Sequence, residues 1–146
     1  MVEHSKATRI LAYVCALILL PVYVAGPISL IILTLKRFHI ADKPTVIFLV
    51  FLSAGMTYLC GKYFYLLVRF IKTIKKKVTF DDNGVVIESN AQVQKYSWYE
   101  LRASREYPSC QIFCLIDAGG QHLFSIWEYA NGYREFRQKI HEEVGI

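Results

Sequence analysis

The sequence lacks the motifs that identify the common classes of enzyme. Gly119-Gly120 is followed by neither a Lys-Ser/Thr pair nor a helical pattern, so no phosphate-binding loop is present. There is no G-x-S-x-G nucleophile motif and no His-Glu-x-x-His zinc motif. We interpret His141-Glu142-Glu143 as a solvated helix face and Asp81-Asp82 as part of a hairpin turn. We therefore expect no catalytic residues, no cofactor site and no enzymatic activity.

Cysteine is also scarce, with four residues in the chain. Cys110-x-x-x-Cys114 is the only close pair, and no second pair completes a zinc-binding framework. His122 and His141 are further ligand types, and the alternative of a zinc site stays open. We favour a reduced pair on a strand and expect no metal site.

Acidic residues are almost missing from the first half of the chain. Residues 1–77 hold eleven Lys or Arg against two acids, a net charge of +9, and residues 78–146 hold six against ten, a net charge of −4. A basic excess confined to one segment does not form the extended basic surface that follows a phosphate backbone. The distribution excludes nucleic acid as a partner and is typical of membrane boundaries.

Two long apolar runs lie in that first half. Residues 10–35 contain no charge, and a second run covers about 45–70. A membrane-spanning helix needs about 20 apolar residues. A cleaved signal peptide is the alternative for the first run, but the run continues past its small-residue segment Ala25-Gly26-Pro27. We expect a transmembrane hairpin at 1–77, ending in a basic stop.

Several residues of the hairpin allow two interpretations. Pro21 and Pro27 predict kinks, which serve either packing or a substrate-path hinge. Lys62, the only charge within a span before Arg69 at its end, either extends to the headgroups or has a function.

Small residues recur at one helical spacing in the second span. Ser53, Thr57 and Gly61 form a stripe on one face, and Ala12 and Ala16 do so in the first span, where we expect Ala16 at the depth of Thr57. This stripe either packs the hairpin or forms a homo-oligomer.

Basic residues near the helix ends predict the orientation. The outer flanks carry seven Lys or Arg and the loop between the spans carries three. The positive-inside rule therefore places both termini in the cytoplasm, and we expect location in a bacterial inner membrane.

Residues 78–146 predict a small β-rich domain with a terminal helix. The strands are expected at 78–80, 85–89, 92–98, 111–116 and 121–127, and residues 99–105 are expected to carry a short turn into a fourth strand. Asn83-Gly84 predicts a two-residue hairpin with positive φ at both positions. The fold class is thus an α+β membrane protein.

The terminal helix is expected at about 132–144, capped by Asn131. Glu135 and Lys139 are predicted to pair on its exposed face. The predicted core is formed by residues that alternate along the strands or share the apolar helix face: Phe80, Val85, Ile87, Trp98, Phe113, Leu115, Phe136 and Ile140.

The layout resembles the YcxB-like family of small bacterial membrane proteins, whose cytosolic part is a reduced pleckstrin-homology-like (PH-like) domain. The residues that carry the resemblance are Phe80, Asp81, Asp82, Gly84, Val85, Ile87, Ser97-Trp98, Glu100-Leu101, Phe136 and Ile140. The resemblance implies a bent antiparallel sheet plugged by the terminal helix, and no defined chemistry.

The leading functional hypothesis is an accessory or protein-interaction module at the membrane. The alternatives are an immunity protein against a membrane-directed toxin and, more weakly, a lipid-binding domain. Besides the lipid bilayer we expect a protein partner. Its predicted surface is formed by Arg105, Tyr107, Trp127 and Tyr129, because surplus aromatic residues with a polar tip favour interfaces; packing at the domain rim is the competing interpretation. Tyr96 and Tyr99 belong to the same surplus.

Overall fold

The computed structural model describes residues 1–89, 92–107 and 109–144, with their side chains except those of residues 102–106. The fold is α+β, with two long helices followed by small antiparallel sheets and a C-terminal helix. The chain divides into two compact units. We call Met1–Tyr13 with Arg69–Ile146 the sheet unit, and Val14–Val68 the helical unit.

The two predicted long helices are present and extend beyond their predicted ends. Helix α1 is Lys6–Arg37 and continues through both of its prolines, and helix α2 is Lys43–Thr73. Each is long and apolar enough to cross a membrane. Only 11% of the residues in the most apolar window of each helix are buried. Their apolar side chains therefore face outward, unlike those of a core helix in a soluble protein.

Each long helix begins after a residue whose side chain caps it. The backbone N–H of Thr8 donates to Oγ of Ser5 at 3.1 Å. The backbone N–H of Thr45 donates to Oδ2 of Asp42 at 3.3 Å. The hydroxyl of Thr45 donates to Oδ1 of Asp42 at 2.7 Å, and this bond is the main cause that lowers the pKa of Asp42. The two backbone bonds satisfy N–H groups of the first turn, which have no partner within the helix.

A polar contact sets the register within the helical unit. The hydroxyls of Thr34 and Ser53 are 2.8 Å apart, and both residues are buried. Thr57, one turn after Ser53, lies level with Leu30, one turn before Thr34. The prediction that Thr57 lies at the same depth as Ala16 is therefore wrong. That prediction aligned the outer ends of the two helices, whereas the Thr34–Ser53 contact sets a different register between them.

The small-residue stripe is only partly available for self-association. Ser53 is buried against Thr34, whereas Thr57 and Gly61 are exposed on the helical unit. Lys62 is exposed as well. A homo-oligomer through this stripe and a role for Lys62 stay predictions.

The sheet unit contains two three-stranded antiparallel sheets, ordered β1-β2-β3 and β4-β5-β6. The strands are β1 Lys77–Phe80, β2 Gly84–Ser89, β3 Gln92–Ser97, β4 Leu101–Tyr107, β5 Ile112–Asp117 and β6 His122–Trp127. Strands β1, β2, β3, β5 and β6 lie within one residue of their predicted bounds, and β4 begins within the segment 99–105 that was predicted to lead into it. A 3-10 turn at Trp98–Glu100, closed by a capping box with Ser97, supplies the predicted turn before β4.

The connection between β1 and β2 differs from the predicted two-residue turn. Gln111 is the only non-glycine residue with positive φ in the described ranges, so Asn83 does not adopt that conformation. Instead, Oδ1 of Asp81 accepts the N–H groups of Asn83 at 2.8 Å and Gly84 at 3.0 Å. Gly84 has φ +155°, and a Cβ there would collide with the carbonyl of Tyr96. This position therefore requires glycine.

The terminal helix α3, Tyr133–Val144, closes the core of the sheet unit. Phe136 and Ile140 are 0% exposed. The ring of Phe136 lies 5.3 Å from that of Phe80, 6.2 Å from that of Phe113 and 5.7 Å from that of Phe124. Seven predicted core residues are buried, and Phe80 packs against them partly buried.

Two predicted details of α3 are wrong. Gly132, with φ +73°, is the residue before the helix, while the N–H of Asn131 donates to the carbonyl of Glu3. Lys139 pairs with Glu143 at 2.9 Å and with Asp82 at 2.8 Å in place of the predicted Glu135. The pair with Glu143 keeps the spacing of four residues, and Asp82 is brought close by tertiary folding, which local spacing does not show.

The N-terminal segment is part of the sheet unit, a feature that the sequence did not predict. Val2 is 2% exposed and forms an antiparallel bridge with Val78, with N–H···O distances of 2.6 and 3.0 Å. Glu3 bridges to Asn131 in the same way. The compact units therefore do not divide at Lys77, although the predicted division into a membrane part (1–77) and a water-facing part (78–146) stays a prediction.

Candidate interaction surface

The predicted surface residues lie on the second sheet and on the connection after it. Tyr107, Ile112 and Trp127 are aligned across β4, β5 and β6, because Tyr107 pairs with Ile112 and Ile112 with Trp127. Directly paired residues project from the same face of a sheet. Phe113, next to Ile112, belongs to the core beside Phe136. The row of Tyr107 and Trp127 is therefore on the opposite face.

Trp127 is fixed by aromatic contacts and a backbone hydrogen bond. Its ring centroid lies 6.3 Å from that of Phe70 and 5.4 Å from that of Tyr129, both edge to face. Its backbone N–H donates to Nε2 of His4 at 3.1 Å. Its indole Nε1 is buried and has no hydrogen-bond partner within the described part of the chain. An unsatisfied buried donor costs about 1–3 kcal/mol.

Exposure distinguishes the predicted surface residues from one another. Tyr129 is 61% exposed, whereas Trp127 and Tyr107 are half-buried. We call Tyr107, Trp127 and Tyr129 the aromatic surface. Arg105 pairs with Cys114 in the register of the sheet. Its side chain is outside the described residues, so its role at the rim stays a prediction.

The two other surplus tyrosines lie on different elements. Tyr96 packs against the hydrophobic core from β3, and Tyr99 is 84% exposed on the 3-10 turn. The structure thus brings Trp127 and Tyr129 into contact, and places Tyr107 in the row of Trp127. Tyr99 is consequently an exposed tyrosine outside the aromatic surface, which makes it a control position.

A row of polar groups is buried on the same face as Trp127. Oγ of Ser125 lies 2.7 Å from Nε2 of His122 and 3.2 Å from Sγ of Cys114. The backbone N–H of Ser125 donates to Oγ1 of Thr73 at 3.0 Å. A serine bonded to a histidine is the geometry of an activated nucleophile, but Ser125 is 1% exposed. The Ser125–His122 pair lies within β6, and the backbone N–H of Ser125 joins β6 to Thr73 at the end of α2. Only the polar interruption at Ser125 signals these bonds in the sequence.

Two histidines of the sheet unit are held in the neutral form. Burial is the main cause that lowers the pKa of His4 to about 4, and Nε2 of His4 already accepts the N–H of Trp127. Burial also lowers the pKa of His122 to about 4, helped by the positive charges of Arg69 and Lys76. Neutral imidazole has one donor and one acceptor nitrogen, which suits these positions.

Acidification is therefore expected to destabilise the sheet unit. Between pH 6.5 and 4 the unfolded chain binds protons at His4 and His122 that the folded chain excludes, so the free energy of unfolding falls as pH falls. We expect a loss of at least ~1 kcal/mol over this window. The measurement is urea unfolding of the full chain in detergent, followed by tryptophan fluorescence, since both tryptophans lie in the sheet unit.

The matched variants are His122→Gln and His39→Gln. His122→Gln removes one titrating group and should flatten the pH dependence of the free energy of unfolding. His39 lies in the exposed loop between α1 and α2, so His39→Gln should leave that dependence unchanged. An equal pH dependence in the two variants would contradict the role given to His122.

Cys110 and Cys114, the close cysteine pair of the sequence, lie in different surroundings. All four cysteines are free thiols. Cys114 is 4% exposed against Ser125, and Cys110 follows β4 in the turn before β5. Within the described ranges, no three His, Cys, Asp or Glu side chains are grouped to hold a metal ion.

Comparison of the chain with models of protein families, with curated proteins and with solved structures gave no match. The resemblance to the YcxB-like family and to a PH-like domain stays a prediction from the sequence.

Proposed function

We propose that this chain is an accessory protein of a bacterial inner membrane, anchored by a two-helix hairpin, that binds a partner protein through the aromatic surface. Its aqueous part, residues 78–146, is a reduced PH-like domain in the cytoplasm. Two helices of sufficient length and hydropathy, with outward-facing apolar side chains, support the membrane location.

The bridge between Val2 and Val78 is the observation that most directly supports a transmembrane hairpin. It joins the segment before α1 to the strand after α2 within one compact unit. Two helices that leave and re-enter the same folded unit cross a bilayer an even number of times. The excess of basic residues on these flanks favours the cytoplasm for that unit.

The aromatic surface supports a protein partner as the binding target. Tyrosine and tryptophan supply large contact areas at low entropic cost and dominate binding hot spots. Tyr129 is exposed yet held in edge contact with Trp127, which is itself fixed by Phe70 and His4. A pre-positioned exposed ring loses little freedom on binding.

Photo-crosslinking tests the partner. A benzophenone amino acid is placed at Tyr129 or at Tyr99 in the full chain, and membranes of the native host are irradiated. We expect a discrete protein crosslink from Tyr129 and none from Tyr99, which is the more exposed of the two. Crosslinks of equal yield from both positions, or none from Tyr129, would contradict the proposed surface.

A further inference from the structure

A groove on the outer side of α3 continues the aromatic surface. It has a volume of about 560 Å³, within the range of ligand-binding clefts. Tyr129 forms one wall and so belongs both to the groove and to the aromatic surface. We call it the α3 groove; its lining residues are Glu128, Tyr129, Tyr133, Arg134, Arg137, Gln138 and His141.

Charge is segregated around α3. Arg134, Arg137 and His141 follow one another at i, i+3 and i+7, so they form a basic stripe on one face. They line the groove, whereas the three acidic residues of α3 do not. Among the described residues, Glu128 is the one acidic residue in the lining.

Three acidic residues on or beside α3 bond to other side chains of the sheet unit. Glu143 and Asp82 both accept from Lys139, at 2.9 and 2.8 Å. Glu142 accepts from the side-chain amide of Gln138 at 3.0 Å. Residues 78–146 carry a net charge of −4, yet the lining of this groove contains two arginines and one histidine beside Glu128.

We propose that the α3 groove binds a short acidic segment of the partner protein, with Arg134 and Arg137 contacting its carboxylates. This inference rests on the proposed function and names the chemistry of the partner. Guanidinium groups bind carboxylates through paired, charge-assisted hydrogen bonds.

The dimensions of the groove fit such a segment. The stripe from Arg134 to His141 spans about 10 Å of helix, the length of about three residues of extended chain. The groove combines tyrosine with arginine, the residue types that dominate protein hot spots. A bound segment would place carboxylates on the stripe and apolar atoms on Tyr129.

Charge reversal in the crosslinking experiment tests the inference. With the benzophenone at Tyr129 in the full chain, Arg137→Glu should lower the crosslink yield at least ~10-fold, and Arg134→Glu should do the same. Lys95→Glu makes the same change of charge at an exposed position on β3 and should leave the yield unchanged. Thermal unfolding of each variant checks that the sheet unit remains folded.

The crosslinked peptide of the partner, mapped by mass spectrometry, should carry a net negative charge. Replacing its acidic residues by lysine should restore the crosslink to Arg137→Glu. An undiminished crosslink in both arginine variants, or a mapped segment without acidic residues, overturns the inference and leaves the proposed function standing. Crosslinks to phospholipid alone, or none, overturn both, and the lipid product would identify a headgroup as the occupant.

Discussion

Replacing Phe136 by alanine is expected to unfold the sheet unit. Phe136 is 0% exposed, and three other aromatic rings surround it within 6.2 Å. Removing a buried phenylalanine costs about 3–5 kcal/mol, since the apolar contacts are lost and a cavity remains. A small core seldom supplies more than ~3–5 kcal/mol of net stability. Even without urea, the tryptophan fluorescence of the Phe136→Ala chain in detergent should therefore resemble that of the urea-unfolded chain.

Tyr99→Ala is the matched control for this large-to-small change. Tyr99 is 84% exposed, so its removal should shift the unfolding midpoint by little. An unchanged midpoint in Phe136→Ala would show that α3 is not docked on the sheets as described.

A comparable loss is expected from Val2→Asp, although Val2 lies outside the predicted β-rich domain. Val2 is 2% exposed and packs in the same core cluster as Val78. Burying a polar group without a hydrogen-bond partner costs about 2–7 kcal/mol, and a charged one more. We expect a loss of at least ~2 kcal/mol in the urea unfolding of the full chain.

Val93→Asp is the control for that substitution, because Val93 lies on β3 and is 62% exposed. It should leave the unfolding free energy nearly unchanged. Equal losses in the two variants, or none in Val2→Asp, would show that the N-terminal segment is not held against β1.

The elements of the sheet unit were predictable because each has a local signal. Alternating apolar residues mark the strands, and Phe136 and Ile140 share one helical face. Burial of the predicted core confirms these assignments. The two long helices were predictable from hydropathy and length alone.

The non-local features were not predictable from these patterns. Val2 pairs with a strand 76 positions later through a single bridge, and nothing in its short polar neighbourhood signals this. The Thr34–Ser53 contact and the Lys139–Asp82 pair are likewise set by tertiary packing. In the turn between β1 and β2, the carboxylate of Asp81 accepts the backbone N–H of Asn83. This bond outweighs the usual preference of an Asn-Gly pair for a two-residue turn.

The candidate surface was predictable in part. Trp127 and Tyr129 lie two residues apart, so their contact follows from local sequence. The alignment of Tyr107 with Trp127 depends on the strand register of the second sheet. Two buried residues fix Trp127: His4, which precedes α1, and Phe70, near the end of α2. Sequence spacing does not show that these residues come together.

Accessibility of single cysteines from outside the cell tests the hairpin most directly. The four native cysteines are replaced by alanine, and His39→Cys or Tyr99→Cys is introduced into the full chain. In intact cells an impermeant maleimide should label His39→Cys, whereas Tyr99→Cys should react only after the membrane is permeabilised. Labelling of Tyr99→Cys in intact cells, or protection of His39→Cys, would contradict a hairpin with its sheet unit in the cytoplasm.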